Sequence, residues 1–457
     1  MGFLKGYTKE EKSWMMYDWA NSAHSVIVVT ILPIFFNTVA GFMSDASSGM
    51  AVWGFATSAA MMIVAVMAPV LGVIGDFKGM RKKLFVCFML LGVISCGFLA
   101  FAPMMDFVTP GRAEKVGMMV LAFYILSTIG FAGGNLYYDS FLNDVTTEER
   151  MDKVSTMGYG MGYLGGSTIP LLVFLIMNLI LGPDSMLFCL SFAFGLTSLW
   201  WLVFSFPILK NVKQKSFIEK KEGAVKEALL GIGKTVKEIY GRKEMFVFLV
   251  AYFFYIDGVN TIIHMSTSYG STLGLGATDM LIALLLVQVL GMPFCLLYIK
   301  LSSKYGARKM VGVAIMVYVC VTVFAFFLRE VWQFWVMAVA VATSQGGIQA
   351  LSRSMFGKMI PDKARSGEFF GFYDIFGRFS AIMGPALVGI SSNLATDIIL
   401  KNKGLTRETV TPEMMDVINT QAAPWGIISL LTIFFIGGVL YFGVLPKYLK
   451  NTKQEVK

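Results

Sequence analysis

Apolar residues occur along this chain in long runs that are separated by short polar segments. A run of about 20 apolar residues makes a helix long enough to cross a bilayer. The pattern predicts twelve such spans, at residues 14–39, 50–74, 84–106, 116–140, 153–180, 185–209, 244–269, 278–301, 309–328, 331–356, 367–395 and 421–446. They form two groups of six, so we predict an all-α membrane protein built from two six-helix bundles.

The composition supports this prediction. Of the 457 residues, 56% are hydrophobic and only 15% are charged, a balance unlike that of soluble globular proteins. The net charge of +9 does not indicate nucleic-acid binding, because the basic residues cluster in short loops between the spans. In such loops they set the topology and meet anionic lipid headgroups.

The same basic residues predict the orientation of the chain, since cytoplasmic loops carry an excess of Lys and Arg. With the N-terminus inside, 31 of the 38 Lys and Arg residues lie on the cytoplasmic side. Six lie outside, and Arg378 lies within a span; the six are Arg112, Lys115, Arg329, Lys401, Lys403 and Arg407. We therefore expect both termini in the cytoplasm, and a location in the plasma membrane if the chain is bacterial.

Polar residues occur inside two of the predicted spans, where they are costly. Asp18, Asn21 and His24 follow one another along one face of the first span, because residues three apart are neighbours on a helix. Such residues are expected to face a bundle interior or a watery cavity. The seventh span repeats the pattern at Asp257, Asn260 and His264.

This repetition indicates an internal duplication. Gly162 precedes Pro170 by eight residues in the fifth span, and Gly377 precedes Pro385 by eight in the eleventh. Two pseudo-symmetric halves are typical of parallel-repeat secondary transporters, which bind their solute near the bilayer midplane. We predict an N-terminal half at 1–209, a basic cytoplasmic linker with an amphipathic segment at 210–243, and a C-terminal half at 244–457.

We expect the polar residues inside the spans to line a substrate and proton pathway. Asp257 lies about 13 residues into its span, a depth of about 20 Å, where burial would raise its pKa into a range suited to proton exchange. Asp18 lies nearer the cytoplasmic end and could equally be a gate residue. His24 and His264 could carry protons or be hydrogen-bonded interior groups, and Asn21 and Asn260 could bind substrate or cross-link helices.

Further candidates for the pathway lie in three other spans. They are Asn135 and Asp139 in the fourth span, Gln345 and Gln349 in the tenth, and Asp374 and Arg378 in the eleventh. The spacing of Asp374 and Arg378 predicts an intramembrane ion pair, which either neutralises both charges or breaks when substrate or a proton arrives.

The loop after the second span contains Gly72, Asp76, Gly79 and Arg81, and it resembles the loop between spans two and three of the major facilitator superfamily. The glycines permit a tight turn, Asp76 could accept hydrogen bonds from the N-terminus of a neighbouring helix, and Arg81 could pair with acids across the two halves. Together they would form a cytoplasmic gate that holds the outward-open state. Arg353, near the inner end of the tenth span, is a further gate residue or a lipid contact.

Three stretches carry a closer resemblance. They are YDWANSA at 17–23, DGVNT at 257–261, and a run at 345–385 that includes QGGIQALSRS and EFFGFYD. Together they resemble the vacuole-effluxer-like branch of the major facilitator superfamily, typified by fungal vacuolar amino-acid effluxers. The resemblance implies a twelve-span permease for amino acids or similar small solutes and favours efflux. His24 departs from the family pattern, so chemistry at this histidine would be specific to this protein.

We therefore expect a secondary active transporter that moves an amino-acid-like solute by alternating access, coupled to protons through Asp257 with help from Asp374. The alternatives are transport of a sugar, an organic acid or a drug, and a membrane receptor that binds a ligand without moving it. An enzyme is disfavoured, because two histidines about 240 residues apart form no cluster of metal ligands and no nucleophile–base pair. We expect a monomer without metal or cofactor, whose partners are its solute, protons and lipids.

Overall fold

The computed structural model describes residues 4–43, 46–109, 111–219, 224–407 and 409–449, so residues 220–223 of the predicted linker and the tail 450–457 lie outside it. The helices are α1 (Lys9–Val26), α2 (Leu32–Ala40), α3 (Ala46–Gly75), α4 (Met80–Leu99), α5 (Ala113–Ser140), α6 (Leu142–Val145), α7 (Glu148–Met161), α8 (Ile169–Leu181), α9 (Met186–Asn211), α10 (Ala224–Gly241), α11 (Lys243–Thr272), α12 (Ala277–Tyr305), α13 (Ala307–Phe326), α14 (Val331–Met359), α15 (Ser366–Asn402), α16 (Pro412–Ile428) and α17 (Leu430–Gly438). Three π-helical segments occur, at Ile27–Ile31, Gly162–Thr168 and Val439–Val444. Short 3-10 turns lie at Ala102–Met104, Pro183–Ser185 and Lys363–Arg365.

The all-helical membrane architecture predicted from the sequence is confirmed. Within the described residues, eleven helical stretches are long and apolar enough to cross a membrane, and they correspond to the predicted spans from the second to the twelfth. The first predicted span, 14–39, is also helical, since α1, the π segment Ile27–Ile31 and α2 follow one another without a break. Several helices extend beyond the prediction; the eleventh span is part of a helix of 37 residues.

Contacts divide the chain into two compact units. The first comprises residues 1–232 together with 357–375, and the second comprises 233–356 together with 376–457. The segment 357–375, which includes the start of α15, therefore packs with the first six spans although it follows them by more than a hundred residues.

Aromatic side chains fill the core of the first unit. Trp14 of α1 stacks on Tyr138 of α5, with ring centroids 4.3 Å apart, and its indole N–H donates to the carbonyl of Tyr138 at 2.8 Å. Helices α4 and α5 approach closely where Gly130 meets Gly92, because a Cβ on Gly130 would lie 2.2 Å from the backbone nitrogen of Gly92. Burial of these large rings fixes the position of α1 against α5.

Helix α11 lies at the centre of the second unit. Gly258 packs against the ring of Phe434 in α17, where a Cβ would be 2.5 Å from the ring. One turn earlier, the hydroxyl of Tyr255 lies 2.6 Å from the hydroxyl of Ser352 in α14. Helix α11 is therefore held by close packing against α17 and by a buried hydrogen bond to α14.

Candidate functional site

The polar face of α1 is paired with α5 inside the first unit. The hydroxyl of Tyr138 donates to Oδ2 of Asp18 at 2.6 Å, and Nδ2 of Asn21 donates to Oδ1 of Asn135 at 2.6 Å. Asp18 and Asn21 are only 8% and 3% exposed. Two of the residues singled out in the sequence, Asn21 and Asn135, are thus brought into direct contact.

His24 continues this face one turn further along α1. Its Nε2 lies 3.2 Å from the hydroxyl of Ser127, and its ring stacks on Phe131 with a centroid distance of 4.8 Å. The side chain is 1% exposed, and within the described residues Nδ1 has no hydrogen-bond partner. His24 is therefore enclosed in an aromatic pocket and held by one hydrogen bond.

Glycines on the other side of α1 allow this close packing. A Cβ on Gly158 would lie 2.5 Å from Oδ2 of Asp18, and a Cβ on Gly162 would lie 2.6 Å from the hydroxyl of Ser22. The chain from Gly162 to Thr168 is π-helical, and segments of this kind occur frequently at functional sites. The glycine pattern predicts a close-packing helix face, but nothing in the sequence predicted the π-helical geometry.

Asp257 occupies the corresponding position in the second unit. The backbone N–H of Gly384 in α15 donates to its Oδ1 at 2.9 Å, and the hydroxyl of Thr261 donates to the same oxygen at 3.5 Å. The residue is 0% exposed, and its Oδ2 has no hydrogen-bond partner among the described residues. A Cβ on Gly384 would overlap the Thr261 hydroxyl, so a glycine at this position is what allows the contact.

Asn260 also faces α15, but His264 differs from its counterpart in the first unit. Nδ2 of Asn260 donates to the hydroxyl of Ser380 at 3.4 Å. The side chain of His264 is exposed, whereas His24 is buried. The acid and the amide of the first triplet thus bond to the fourth span, those of the second triplet bond to the eleventh span, and the two histidines have different surroundings.

The remaining candidates lie on three helices. Gln345 is buried and Gln349 is half-buried on α14, where Arg353 follows one turn later and is 2% exposed. Asp374 and Arg378 are both half-buried on α15, one turn apart. Asp139 is half-buried on α5, one turn after Asn135.

The loop between α3 and α4 is organised around Arg81. Its Nη2 lies 2.6 Å from Oδ1 of Asp76, and its Nη1 lies 2.6 Å from Oδ2 of Asp144. All three residues are at most 4% exposed, so the guanidinium charge is shared by two buried carboxylates of the same unit. Burial raises the pKa of the Asp76 carboxyl to about 6, and the Arg81 charge opposes the rise.

Asp76 also binds the N-terminus of α15. The backbone N–H groups of Gly367 and Glu368 donate to its two carboxylate oxygens at 2.7 and 2.8 Å, and a negative charge at this end of a helix is favourable. Gly72 makes the approach possible, because a Cβ there would overlap the carbonyl of Gly367. Gly79 has a different role: its φ of +72° gives the turn that starts α4.

Two ion pairs and one hydrogen bond hold the rest of the segment 357–375 in the first unit. The ammonium group of Lys358 lies 2.7 Å from Asp152, and Asn143 donates to the hydroxyl of Ser366 at 3.0 Å. The second ion pair joins Lys363 to Glu148 at 2.9 Å. The loop that follows α3 and the helices α6 and α7 therefore bind the same segment.

The chain that follows α9 runs along the loop between α3 and α4. We call residues 212–219 the linker strap. The backbone N–H of Ile218 donates to the carbonyl of Asp76 at 2.8 Å, and the N–H of Lys78 donates to the carbonyl of Ile218 at 3.0 Å. These two bonds form a short parallel bridge between the strap and the loop.

The linker strap also completes the surroundings of Asp144. The backbone N–H groups of Lys215 and Ser216 donate to Oδ1 of Asp144 at 3.1 and 2.9 Å, while its Oδ2 binds Arg81. The side chain of Gln214 accepts a hydrogen bond from the N–H of Gly79 at 3.0 Å. The sequence predicted only a basic linker here, and its short polar segment gave no sign of these contacts.

A buried acid near the N-terminus was missed by the sequence analysis. Glu11 is 1% exposed and accepts bonds from Nε and Nη2 of Arg150 at 2.8 and 2.6 Å and from the hydroxyl of Thr146 at 2.8 Å. Glu11 and Thr8 form a capping box at the start of α1. The Thr-x-x-Glu spacing is a sequence signal for that cap, but the partner Arg150 lies 139 residues away.

Comparison with known proteins agrees with this architecture. Residues 43–401 match the family model described as vacuole effluxer Atg22 like. The chain is 43% identical over 397 residues, 86% of this chain and 90% of the relative, to the uncharacterized MFS-type transporter YxiO of Bacillus subtilis. It is 26% identical over 284 residues to the autophagy-related protein 22 of Cryptococcus neoformans, covering 57% of this chain and half of that protein.

A solved structure supports the fold. The proton:xylose symporter XylE superposes with a TM-score of 0.60 over 93% of this chain and 95% of its own, at 14% sequence identity. Two helical units with polar residues inside their spans, together with these relatives, define a transporter of the major facilitator fold and not an enzyme. The chain belongs to the vacuole effluxer Atg22-like family, and it is a multi-pass membrane protein.

Proposed function

We propose that this protein moves a small polar solute, amino-acid-like in its chemistry, across the plasma membrane by alternating access coupled to protons. It would work as a monomer. Both termini would lie in the cytoplasm, as the distribution of Lys and Arg indicates. The family description names a vacuole effluxer, and the flux measurements below determine whether the direction at the plasma membrane is import or export.

The proposal rests mainly on the surroundings of the Asp257 carboxylate. It is a fully buried carboxylate in a membrane-spanning helix, with one oxygen bonded to the N–H of Gly384 and the other without a partner in the described residues. An ionised group in such a place is costly unless it binds a cation or a proton. We assign proton exchange to Asp257, and solute contacts to Asn260, Gln345 and Gln349, whose amides suit the ammonium and carboxylate of a zwitterion.

The pair Asp374 and Arg378 would assist this coupling, because both are half-buried charged residues on the helix that also supplies Gly384. In the first unit, the pathway would be lined by Asp18, Asn21, His24, Asn135 and Asp139. We therefore expect substitutions of these residues to reduce transport more than they reduce the stability of the fold.

Gly72, Asp76, Gly79, Arg81 and Arg353 would form the cytoplasmic gate. The contacts of Asp76 with the N-terminus of α15 would hold the cytoplasmic side closed, and they must separate when that side opens. Because Gly72 and Gly367 meet backbone to backbone, a small displacement of either is enough to lose the contact. We expect this contact to form and break once in each transport cycle.

Flux measurements in proteoliposomes test the assignment of Asp257. A pH gradient should drive solute movement in the wild type, and Asp257→Asn should abolish it while leaving counterflow, which needs no gradient. The matched control is Asp397→Asn, an exposed carboxylate of α15 that pairs with Arg407; it should retain gradient-driven flux. If Asp257→Asn retains gradient-driven flux, the coupling assignment is wrong, and if counterflow also stops, Asp257 belongs to solute binding.

A thermal-shift screen of the purified protein against amino acids, dipeptides, sugars and organic acids tests the solute class, because a ligand of the native state raises the melting temperature. Stabilisation by amino acids alone supports the proposal. Stabilisation by sugars or organic acids instead would replace the solute class. Binding without any flux of the same compound in proteoliposomes would identify a receptor.

A further inference from the structure

A long groove runs along the outer surface of α13 in the second unit. Its volume is about 700 Å³, and its walls come from α13, from α14 and from Phe442 in the π segment that follows α17. We call it the α13 groove. Gly312 forms part of its wall, and a Cβ there would lie 2.7 Å from the ring of Phe442. Helix α13 and the π segment after α17 are therefore in contact at this end of the groove.

The lining of the α13 groove is apolar and faces out of the protein. On α13 it recurs every three or four residues, from Gly312 to Phe324, which places these side chains on one helix face. Val313 and Met316 in this stripe are 50% and 53% exposed. Because α13 is a membrane-spanning stretch, a side chain that is exposed on this surface meets lipid and not water.

Lys309 is the one charged residue of the lining, and it lies at one end of the groove. The sequence has no acidic residue between Asp279 and Glu330, and Lys309 makes no ion pair within the described residues. Arg308 beside it is also exposed. One end of an apolar groove thus carries positive charge that no carboxylate of α12 or α13 balances.

The groove is long enough to hold an acyl chain of one leaflet. From Lys309 to Phe324 the helix rises about 22 Å at 1.5 Å per residue, compared with about 15 Å for the hydrocarbon of a single leaflet. An acyl chain therefore fits along the stripe with its headgroup at the level of Lys309. Basic sites between spans near the membrane surface are where anionic headgroups bind.

We propose that the α13 groove binds one anionic phospholipid from the leaflet on the Lys309 side. An acyl chain lies along the face that includes Val313 and Met316, and the phosphate pairs with the ammonium group of Lys309. The site is separate from the polar residues assigned to solute and protons, so the proposal does not depend on which solute is carried.

Native mass spectrometry of the purified protein, in detergent with equal amounts of phosphatidylglycerol and phosphatidylcholine, tests the site. We expect the wild type to retain one phosphatidylglycerol in preference to phosphatidylcholine. Lys309→Gln should lower this preference about fivefold, the effect of one cation near an anionic surface, and Lys309→Arg should restore it. Val313→Trp should fill the groove and remove the bound lipid of either kind.

Two variants are matched controls for this experiment. Lys300→Gln removes an exposed cation of α12 that does not line the groove, and Val66→Trp enlarges a side chain on α3 that is 65% exposed; both should bind lipid like the wild type. Equal retention of the two lipids by the wild type would overturn the proposal and indicate ordinary annular contact. The proposal would also be overturned if Lys309→Gln and Lys300→Gln lowered the headgroup preference to the same extent. This comparison of the two lysine variants does not depend on whether Val313→Trp folds.

Discussion

Oδ1 of Asp76 lies 2.7 Å from the backbone nitrogen of Gly367, 291 residues further along the chain. The same oxygen binds Nη2 of Arg81 at 2.6 Å, so one carboxylate joins a loop of the N-terminal half to the first turn of α15. A structural contact and a charge pair therefore depend on a single side chain, which makes its substitution informative.

Asp76→Asn should loosen the first turn of α15. The amide keeps one acceptor but loses the charge, and a hydrogen bond to a charged group contributes about 1.5–3 kcal/mol. We expect the amides of Gly367 and Glu368 to exchange hydrogen for deuterium about 10–100 times faster. Asp106→Asn, in an exposed loop, is the control, and unchanged exchange in Asp76→Asn would contradict the assignment of these bonds.

Gly72→Ala should prevent the close approach of α3 to the segment 357–375. The added methyl overlaps the carbonyl of Gly367, and overpacking of this kind costs about 1–3 kcal/mol. We expect a lower melting temperature and loss of solute flux. Gly389→Ala on α15 is the matched control, because nothing lies within 4 Å of its Cβ position. A Gly72→Ala variant with normal stability and flux would show that the contact is not needed.

Ile218→Pro should release the linker strap from its loop. Proline lacks the N–H that Ile218 donates to the carbonyl of Asp76, and each such bond contributes about 0.5–1.5 kcal/mol. We expect trypsin to cut after Lys215 several times faster than in the wild type. Gln214→Ala should have a smaller effect in the same direction, since it removes side-chain bonds of the strap.

Lys213→Ala provides the control for the strap, because Lys213 is exposed and its side chain makes no hydrogen bond or ion pair with the part of the chain that the structure describes. Cleavage after Lys215 should then proceed at the wild-type rate. Equal rates for Ile218→Pro and Lys213→Ala would mean that the backbone bridge does not hold the strap in place.

The stability contributed by Glu11 should depend on pH. Burial alone would raise the pKa of the Glu11 carboxyl, but the hydrogen bonds from Arg150, Thr8 and Thr146 outweigh burial and hold the pKa below its ordinary value. A depressed pKa in the folded state gives stability that is present above the ordinary value of 4.5 and is lost as the pH falls below it. The group therefore stabilises the protein at neutral pH.

Glu11→Gln should accordingly lower the free energy of unfolding by about 1.5–3 kcal/mol at pH 7, and the difference from the wild type should shrink as the pH falls below about 4.5. Thermal unfolding across this range measures it. Glu10→Gln is the control, because Glu10 pairs with Lys215 at a more exposed position. A difference that stays constant with pH would show that the charge of Glu11 does not contribute.

The sequence was most informative about features that depend on a single helix. The spacing of Asp18, Asn21 and His24 predicted a shared face, and all three have partners on α5, because helical periodicity alone sets that face. The runs of apolar residues predicted the order of the spans for the same reason: each span is a local property of about 20 residues.

The sequence was less informative about partners that lie far away along the chain. Asp144 and Arg81 meet although 63 residues separate them, and the strap binds through backbone groups that every residue has. Spacing cannot reveal such pairings, since they depend on how helices pack. The two histidines make the same point: each is the last residue of its polar triplet, but His24 is buried and His264 is exposed.

The distance in sequence between Asp76 and Gly367 also affects the biosynthesis of the protein. Ribosomes add about 5–20 residues each second, so Gly367 is made about 15–60 s after Asp76. Throughout that interval the nascent chain in the membrane must hold Asp76 without the two N–H groups that bind it in the finished protein. Arg81, made only five residues later, is the partner that keeps this carboxylate paired while the remaining spans are still being inserted.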